Sequence, residues 1–112
     1  MSDILEKQVH ILNKLLNIMI DSVDSVDSEY DCIMCDFEYD HDYKDGSTAT
    51  GAELSYSINS ENRYIGIREM RTVDGLIREL HEVMKTHTGG DWKRFILNLD
   101  ENGKVHTKFI YN

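Results

Sequence analysis

The chain has 112 residues, 40% hydrophobic and 29% charged, with no proline and a formal charge of −9. A chain of this length buries roughly two thirds of its unfolded surface, enough for one core without disulfides or metal, and the composition is that of a globular domain. Its sign disfavours direct binding to nucleic acid or anionic lipid and favours a basic protein or a cation.

The charge is not evenly spread. Residues 21–45 hold ten acids (Asp21, Asp24, Asp27, Glu29, Asp31, Asp36, Glu38, Asp40, Asp42, Asp45) and one base, Lys44, so this segment alone carries −9 and the rest of the chain is neutral. The opening MSDILEKQVH places Asp3, Glu6 and Lys7 where a secretion signal needs a basic start and an unbroken apolar run, so a cytoplasmic protein is expected. The apolar stretches LLNIMI and FILNL are far shorter than the ~20 residues that cross a bilayer, so no membrane role is expected. Cys32 and Cys35 would close only a tiny loop, and reduced thiols are the expectation.

In chain order, Leu5, Val9, Leu12, Leu16, Met19 and Val23 recur at spacings of four and three, with Ile4, Ile11, Leu15 and Ile20 widening the stripe. This predicts an amphipathic helix from Ile4 to Val23 with its stripe on the core. Ser2 or Asp3 caps it, Glu6 stands at capping-box spacing from Asp3, and the Ser-Val-Asp repeat frays its end. The repeat is too short for a free-standing coiled coil, which favours a core-facing helix. Tyr30 to Tyr39 then reads as a strand in which Cys35, Phe37 and Tyr39 face the core and Asp36, Glu38 and Asp40 form an outward acidic rail.

Residues 45–51 (DGSTATG) are predicted as loop, and AELSYSI and RYIGIRE as strands joined by a turn at Asn59-Ser60-Glu61-Asn62. Thr72 or Asp74 is the expected cap of a second helix, lined by Leu76, Ile77, Leu80, Val83, Met84 and His87 and ended by Gly89-Gly90. The last two strands are the clearest: Phe95, Leu97 and Leu99 alternate with polar or outward positions, and so do Val105, Thr107, Phe109 and Tyr111 across a turn at Asp100–Gly103. The expected architecture is a single α+β domain over residues 1–112, an antiparallel sheet of about five strands with two helices on one face, ordered α-β-β-β-α-β-β.

No constellation for catalysis emerges. The CxxC of Cys32-Ile33-Met34-Cys35 lies within a strand, where odd spacing sends the sulfurs to opposite faces and nearby carboxylates raise a thiol pKa, so both thiols are read as inert. Around DHDYKDG neither calcium-loop register works: starting at Asp40 puts Lys44 at the fifth position and Gly51 at the twelfth, and starting at His41 puts Tyr43 at the third. His10, His41, His81, His87 and His106 are scattered, without HExxH or a nucleophile motif. His81 with Glu82, or His87 with Asp91, could meet in space, and they read as ordinary surface or half-buried groups. Trp92 reads as a core or edge aromatic, and Met19 and Met84 as core. The expectation is therefore a binding protein, not an enzyme, with no cofactor and no metal site.

The closing segment WKRFILNLDENGKVHTKFIYN opens with Trp92, carries Leu97 and Leu99, turns at Gly103 and ends in Phe109-x-Tyr111. It resembles the YezG-like family of bacterial antitoxin and immunity proteins of polymorphic toxin systems, over the last third of the chain. The N-terminal helix and acidic aromatic strand are similar in outline, whereas residues 45–71 depart from the family's pattern. The resemblance implies a protein that binds and neutralises a cognate toxin domain, often a nuclease. Such nucleases are basic where they hold phosphates, so Asp36, Glu38, Asp40, Asp42 and Asp45 are the expected toxin-binding residues. The rival expectation is an acidic adaptor or regulatory protein-binding domain without a toxin partner.

Overall fold

The computed structural model describes residues 3–27 and 29–111, so the expected cap at Ser2 or through the Asp3 side chain lies outside the described residues. The elements are α1 (Asp3–Asp24), β1 (Cys32–His41), β2 (Thr48–Ile58), β3 (Glu61–Ile65), α2 (Met70–Thr88), β4 (Arg94–Leu99) and β5 (Val105–Ile110). All strand pairs are antiparallel, in the spatial order β3-β2-β1-β4-β5, with both helices packed on one side of the sheet. This is the α+β architecture and element order that the hydrophobic periods predict. Among the described residues no helix is long and apolar enough to cross a membrane.

β1 is the centre of the sheet, paired along its whole length with β2 (Cys32↔Ser57 to His41↔Thr48) and over its middle with β4 (Ile33↔Leu99 to Glu38↔Arg94). Its odd positions Ile33, Cys35 and Phe37 are fully buried, as are Phe95 and Leu97 on β4. Phe37 and Phe95 stack at 4.7 Å directly across the ladder, a cross-strand aromatic pair that helps hold the register. Against this layer α1 packs Ile11, Leu15, Ile18, Met19 and Val23, and α2 packs Val73, Leu76, Ile77, Leu80 and Met84. The alternation places Cys32 on the opposite face from Cys35, and both are free thiols.

Several boundaries differ from expectation for identifiable reasons. The TATG segment is strand, not loop, because β1 runs on to His41 and its last ladder positions pair with Thr48–Gly51. The β2–β3 connection is a two-residue turn, Asn59 and Ser60, both at positive φ (52° and 67°), the twist that a tight hairpin requires. It leaves β3 only five residues, and Gly66–Glu69 is not strand. α2 starts at Met70, ahead of the expected caps: Glu69, left-handed at φ 55°, is its boundary residue and makes no side-chain capping bond. Asp74 is instead held by the Thr50 hydroxyl and by Arg78.

The expected core stripe of α1 is also only partly right. Leu5 and Val9 are 64% and 55% exposed, and the buried line is Ile11, Leu15 and Ile18, joined by Met19 and Val23. His87 is exposed, whereas His81, one of the residues read as a surface group, is buried on α2. Tyr111 lies beyond β5 and is half exposed, and Val105 is 47% exposed at the sheet edge.

Leu97 is wholly buried on β4 opposite Cys35. Leu97→Asp should cost several kcal/mol, a large part of the ~5–15 kcal/mol that holds a domain, and chemical denaturation reads the loss directly. Burial raises the Cys35 thiol pKa, and the Asp36 charge adds to that rise. A thiol reagent should therefore label half-buried Cys32 in the native protein and Cys35 only after unfolding.

Candidate functional site

The face of the sheet opposite the helices is uncovered. β1 contributes Cys32, Met34, Asp36, Glu38 and Asp40 to it, alternating with the buried residues, and β2 contributes Ser57, Ser55, Glu53, Gly51 and Ala49 in register. β4 adds Arg94, Ile96 and Asn98, and β5 adds His106, Lys108 and Ile110. The face is polarised along the strands. Near the start of β1 it is apolar and amide-bearing, with 43%-exposed Met34 between two shallow recesses, one towards Ser55, Ser57 and Asn62, the other towards Ile96, His106 and Lys108. Towards the end of β1 it is acidic.

In that acidic half, successive outward carboxylates stand ~6.5 Å apart along the strand. Asp36 lies directly opposite Glu53, a like-charge pair that destabilises a sheet unless something offsets it. Arg94 supplies part of the offset: its Nε donates to Asp36 Oδ1 at 3.2 Å and its Nη2 to Oδ2. Asp36 itself is partly buried by this contact, while Glu38, Asp40 and Glu53 are exposed and make no ion pair among the described residues.

Of the five expected toxin-binding residues, the structure brings Asp36, Glu38 and Asp40 onto one face and sets Asp42 and Asp45 in the β1–β2 loop. Both loop carboxylates organise the turn. Asp42 Oδ1 accepts from the Lys44 amide and Asp45 Oδ1 from the Ser47 amide, each at 2.8 Å, while Asp42 and Ser47 close the loop by a backbone bond. The hydrogen bonds from Ser47 lower the Asp45 pKa. These two acids are thus formers of the loop as well as exposed charges at its tip.

A second cluster gathers where the end of β1, the last turns of α2 and the start of β4 meet. His81, 2% exposed, stacks on Tyr39 at 3.7 Å and meets Trp92 edge-on at 5.0 Å. A carboxylate can only accept, so His81 Nε2 donates to Asp91 Oδ1 at 2.9 Å. Tyr43 joins from the loop: its hydroxyl receives a bond from Lys85 Nζ at 2.8 Å and points to Asp91 Oδ2 at 3.4 Å, and its ring lies edge-on to His41. Trp92, fully buried against Phe95 and Phe109, has no hydrogen-bond partner for its indole N–H. The pairing of His81 with Asp91, rather than with Glu82, and not of His87 with Asp91, is set by α2 ending at Gly89 in a left-handed conformation (φ 74°) and the chain doubling back. Gly89-Gly90 marks the end of the helix in the sequence, but spacing holds no signal for which side chain the returning chain meets.

Among the described residues no group of three or more His, Cys, Asp or Glu side chains is arranged to hold a metal ion. What the site offers is an open, charged surface with shallow recesses rather than an enclosed pocket. The fold and this surface define a small α+β domain with one sheet face open. No protein-family model matches the sequence, and no curated protein matches it.

Burial lowers the His81 pKa below 6.5, with Asp91 opposing the shift. The unfolded chain then binds the proton more readily, so the stability due to neutral His81 is present above pH 6.5 and declines as the pH falls below it. Denaturant midpoints measured from pH 8 to pH 5 should drop, and His81→Gln should flatten that dependence while lowering stability at pH 8.

Proposed function

We propose that the chain is an immunity protein, an antitoxin that binds and neutralises a cognate toxin domain, a basic nuclease, through the acidic half of its open sheet face. The observation that carries this reading is the uncovered carboxylate row of β1, reinforced by Glu53 facing Asp36. Keeping like charges opposed on a central ladder costs stability, and a basic partner reverses that cost when it docks. The loop acids Asp42 and Asp45 continue the negative field beyond the end of the strand. The resemblance of the closing hairpin to antitoxin and immunity proteins supports the same reading. Neutralisation then consists of occluding the phosphate-holding surface of the toxin, with no chemistry performed by this chain.

Co-expression with the product of the reading frame directly upstream tests the proposal: cells should survive and a complex should purify. Within that complex, Glu38→Lys with Asp40→Lys should slow association about tenfold or more and flatten its salt dependence, because steering by the field is what these exposed side chains supply. Glu38 and Asp40 suit this test better than Asp42, whose carboxylate builds the turn. Glu79→Lys with Glu82→Lys on exposed positions of α2 makes the same charge change elsewhere. Equal weakening by both pairs would assign the effect to total charge and remove the sheet face from the contact.

A further inference from the structure

β5 is an outer strand of the sheet, and its extensive contacts are with β4 alone. The direction of its backbone groups follows from the hairpin. The Asp100 amide donates to the Lys104 carbonyl at 2.8 Å, so these two residues are a bonded pair, and Asn98↔His106, Ile96↔Lys108 and Arg94↔Ile110 are bonded in turn at every second position. The far side of β4 agrees, because the Tyr39 amide donates to the Lys93 carbonyl and so gives the odd residues of β4 to β1 and the even ones to β5. The N–H and C=O groups of Val105, Thr107 and Phe109 therefore point away from β4, and they have no partner among the described residues.

The charge on this edge is opposite to that of the molecule. From Lys104 to Asn112 the chain has two lysines and no acid, and neither Lys104 nor Lys108 makes an ion pair among the described residues. Both are exposed and share the parity of the open face, with His106 between them bonded to Asp100 at 2.8 Å. β3, the other outer strand, differs: its one cation, Arg63, lies within 3.5 Å of Asp27 and 3.6 Å of Glu61.

We infer that β5 is a docking edge for an extended acidic segment of another protein, which pairs with it antiparallel as a sixth strand. The unpaired groups of Val105, Thr107 and Phe109 supply the main-chain bonds, and the lysines choose the occupant. Lysine on an outer strand keeps like strands from pairing, and an acidic strand turns the same charges into attraction. A second copy fits poorly: a two-fold axis through Thr107 sets His106 of each chain beside Lys108 of the other and leaves both lysines without a counter-charge. The basic toxin proposed for the acidic half of the face also has the wrong sign here, so this is a separate surface. In the arrangement centred on Thr107, the incoming residues bonded to Val105, Thr107 and Phe109 turn their side chains to the helix side, and the alternate ones meet Lys104, His106 and Lys108 on the open face. The matching sequence alternates β-branched residues with glutamate. The carboxylate row of β1 lies two strands, ~10 Å, from β5, beyond the Debye length of ~8 Å at ~0.15 M salt, whereas directly opposed side chains stand ~5 Å apart.

The peptide Val-Glu-Thr-Glu-Val-Glu, blocked at both ends, should shift the amide resonances of Val105, Thr107 and Phe109 in the full chain and saturate with a Kd below about 1 mM at ~0.15 M salt. Val-Lys-Thr-Lys-Val-Lys should not bind. Lys104→Glu with Lys108→Glu, at exposed positions, should reverse the preference, weakening the acidic peptide about tenfold or more and admitting the lysine peptide. N-methylation of the peptide threonine, whose N–H faces β5, should abolish binding, while N-methylation of the glutamate before it, whose N–H faces solvent, should not. Thr107→Pro removes an N–H that β4 does not use, so it should keep the fold and lose the peptide. The methylation test uses the wild-type chain and stands whether or not the proline variant folds. Failure of the acidic peptide to saturate by 1 mM, equal binding of both peptides, or indifference to the position of the methyl group overturns the proposal. Dimerisation of the full chain that Thr107→Pro abolishes would give the edge to a second copy and overturn it as well.

Discussion

The period of two along β1 is the constraint on which the rest of the molecule depends. Because β1 is hydrogen-bonded on both sides, the parity of its side chains sets the parity of β2 and β4 as well, and through them of β3 and β5. A slip of one residue would send Asp36 and Glu38 into the space of Cys35 and Phe37, and no unpaired carboxylates could be tolerated there. The acids are thus more than a surface decoration. They make the alternative register prohibitive, so the same residues that charge the open face also specify the fold.

The aromatic cluster closes the helix-facing side of the sheet at the far end of β1. Tyr39 is the last outer member of the buried parity, and it is covered by His81 from α2 and Trp92 from the start of β4 rather than by aliphatic side chains. An imidazole can fill this place because Asp91 takes its N–H and burial favours its neutral form, whereas a protonated ring would have to hold a charge almost wholly out of water with partly exposed Asp91 as its counter-charge. Lys85 and Tyr43 tie the β1–β2 loop to the same group. The loop bearing Asp42 and Asp45 is therefore fixed at its base by side chains of α2, and its charges are presented from a held position rather than from a free segment.

Much of this was legible in the sequence, and the rest fails for local reasons. The β4–β5 hairpin could be read because Phe95, Leu97 and Leu99 alternate without interruption and Gly103, at φ 79°, marks the turn. The acidic rail of β1 could be read because its alternation is strict from Cys35 onward. TATG could not be read as strand, since Thr, Ala and Gly carry little pattern and are ordered by the length of β1, a non-local fact. The start of α2 was hidden because Glu69 adopts a left-handed conformation that no sequence rule assigns to glutamate, and the capping residues expected there have other partners. The contact of His81 with Asp91 depends on the chain reversing after Gly89, and ten residues of separation give no periodic signal.

The expected stripe of α1 differs from these, because it reaches the core in part: Met19 and Val23 are buried and Leu12 and Leu16 pack against the core, whereas Leu5 and Val9, at the start of the helix, are exposed. Leu5, Val9, Leu12 and Leu16 satisfy the same spacing rule as a core face, and a second apolar line, through Ile11, Leu15 and Ile18, satisfies it equally. The core takes up the second line wholly and the first only in part. Ile11, Leu15 and Ile18 take the core because their side of α1 also meets α2, where burial against both helix and sheet removes more apolar surface from water than the outer flank could. A helix that lies at the edge of a two-helix layer and is apolar over two lines is overspecified for that layer. The exposed Leu5 and Val9 stand across the thickness of the sheet from the carboxylate row of β1, so no large apolar side chain interrupts that row, where it would dilute the field of the acids.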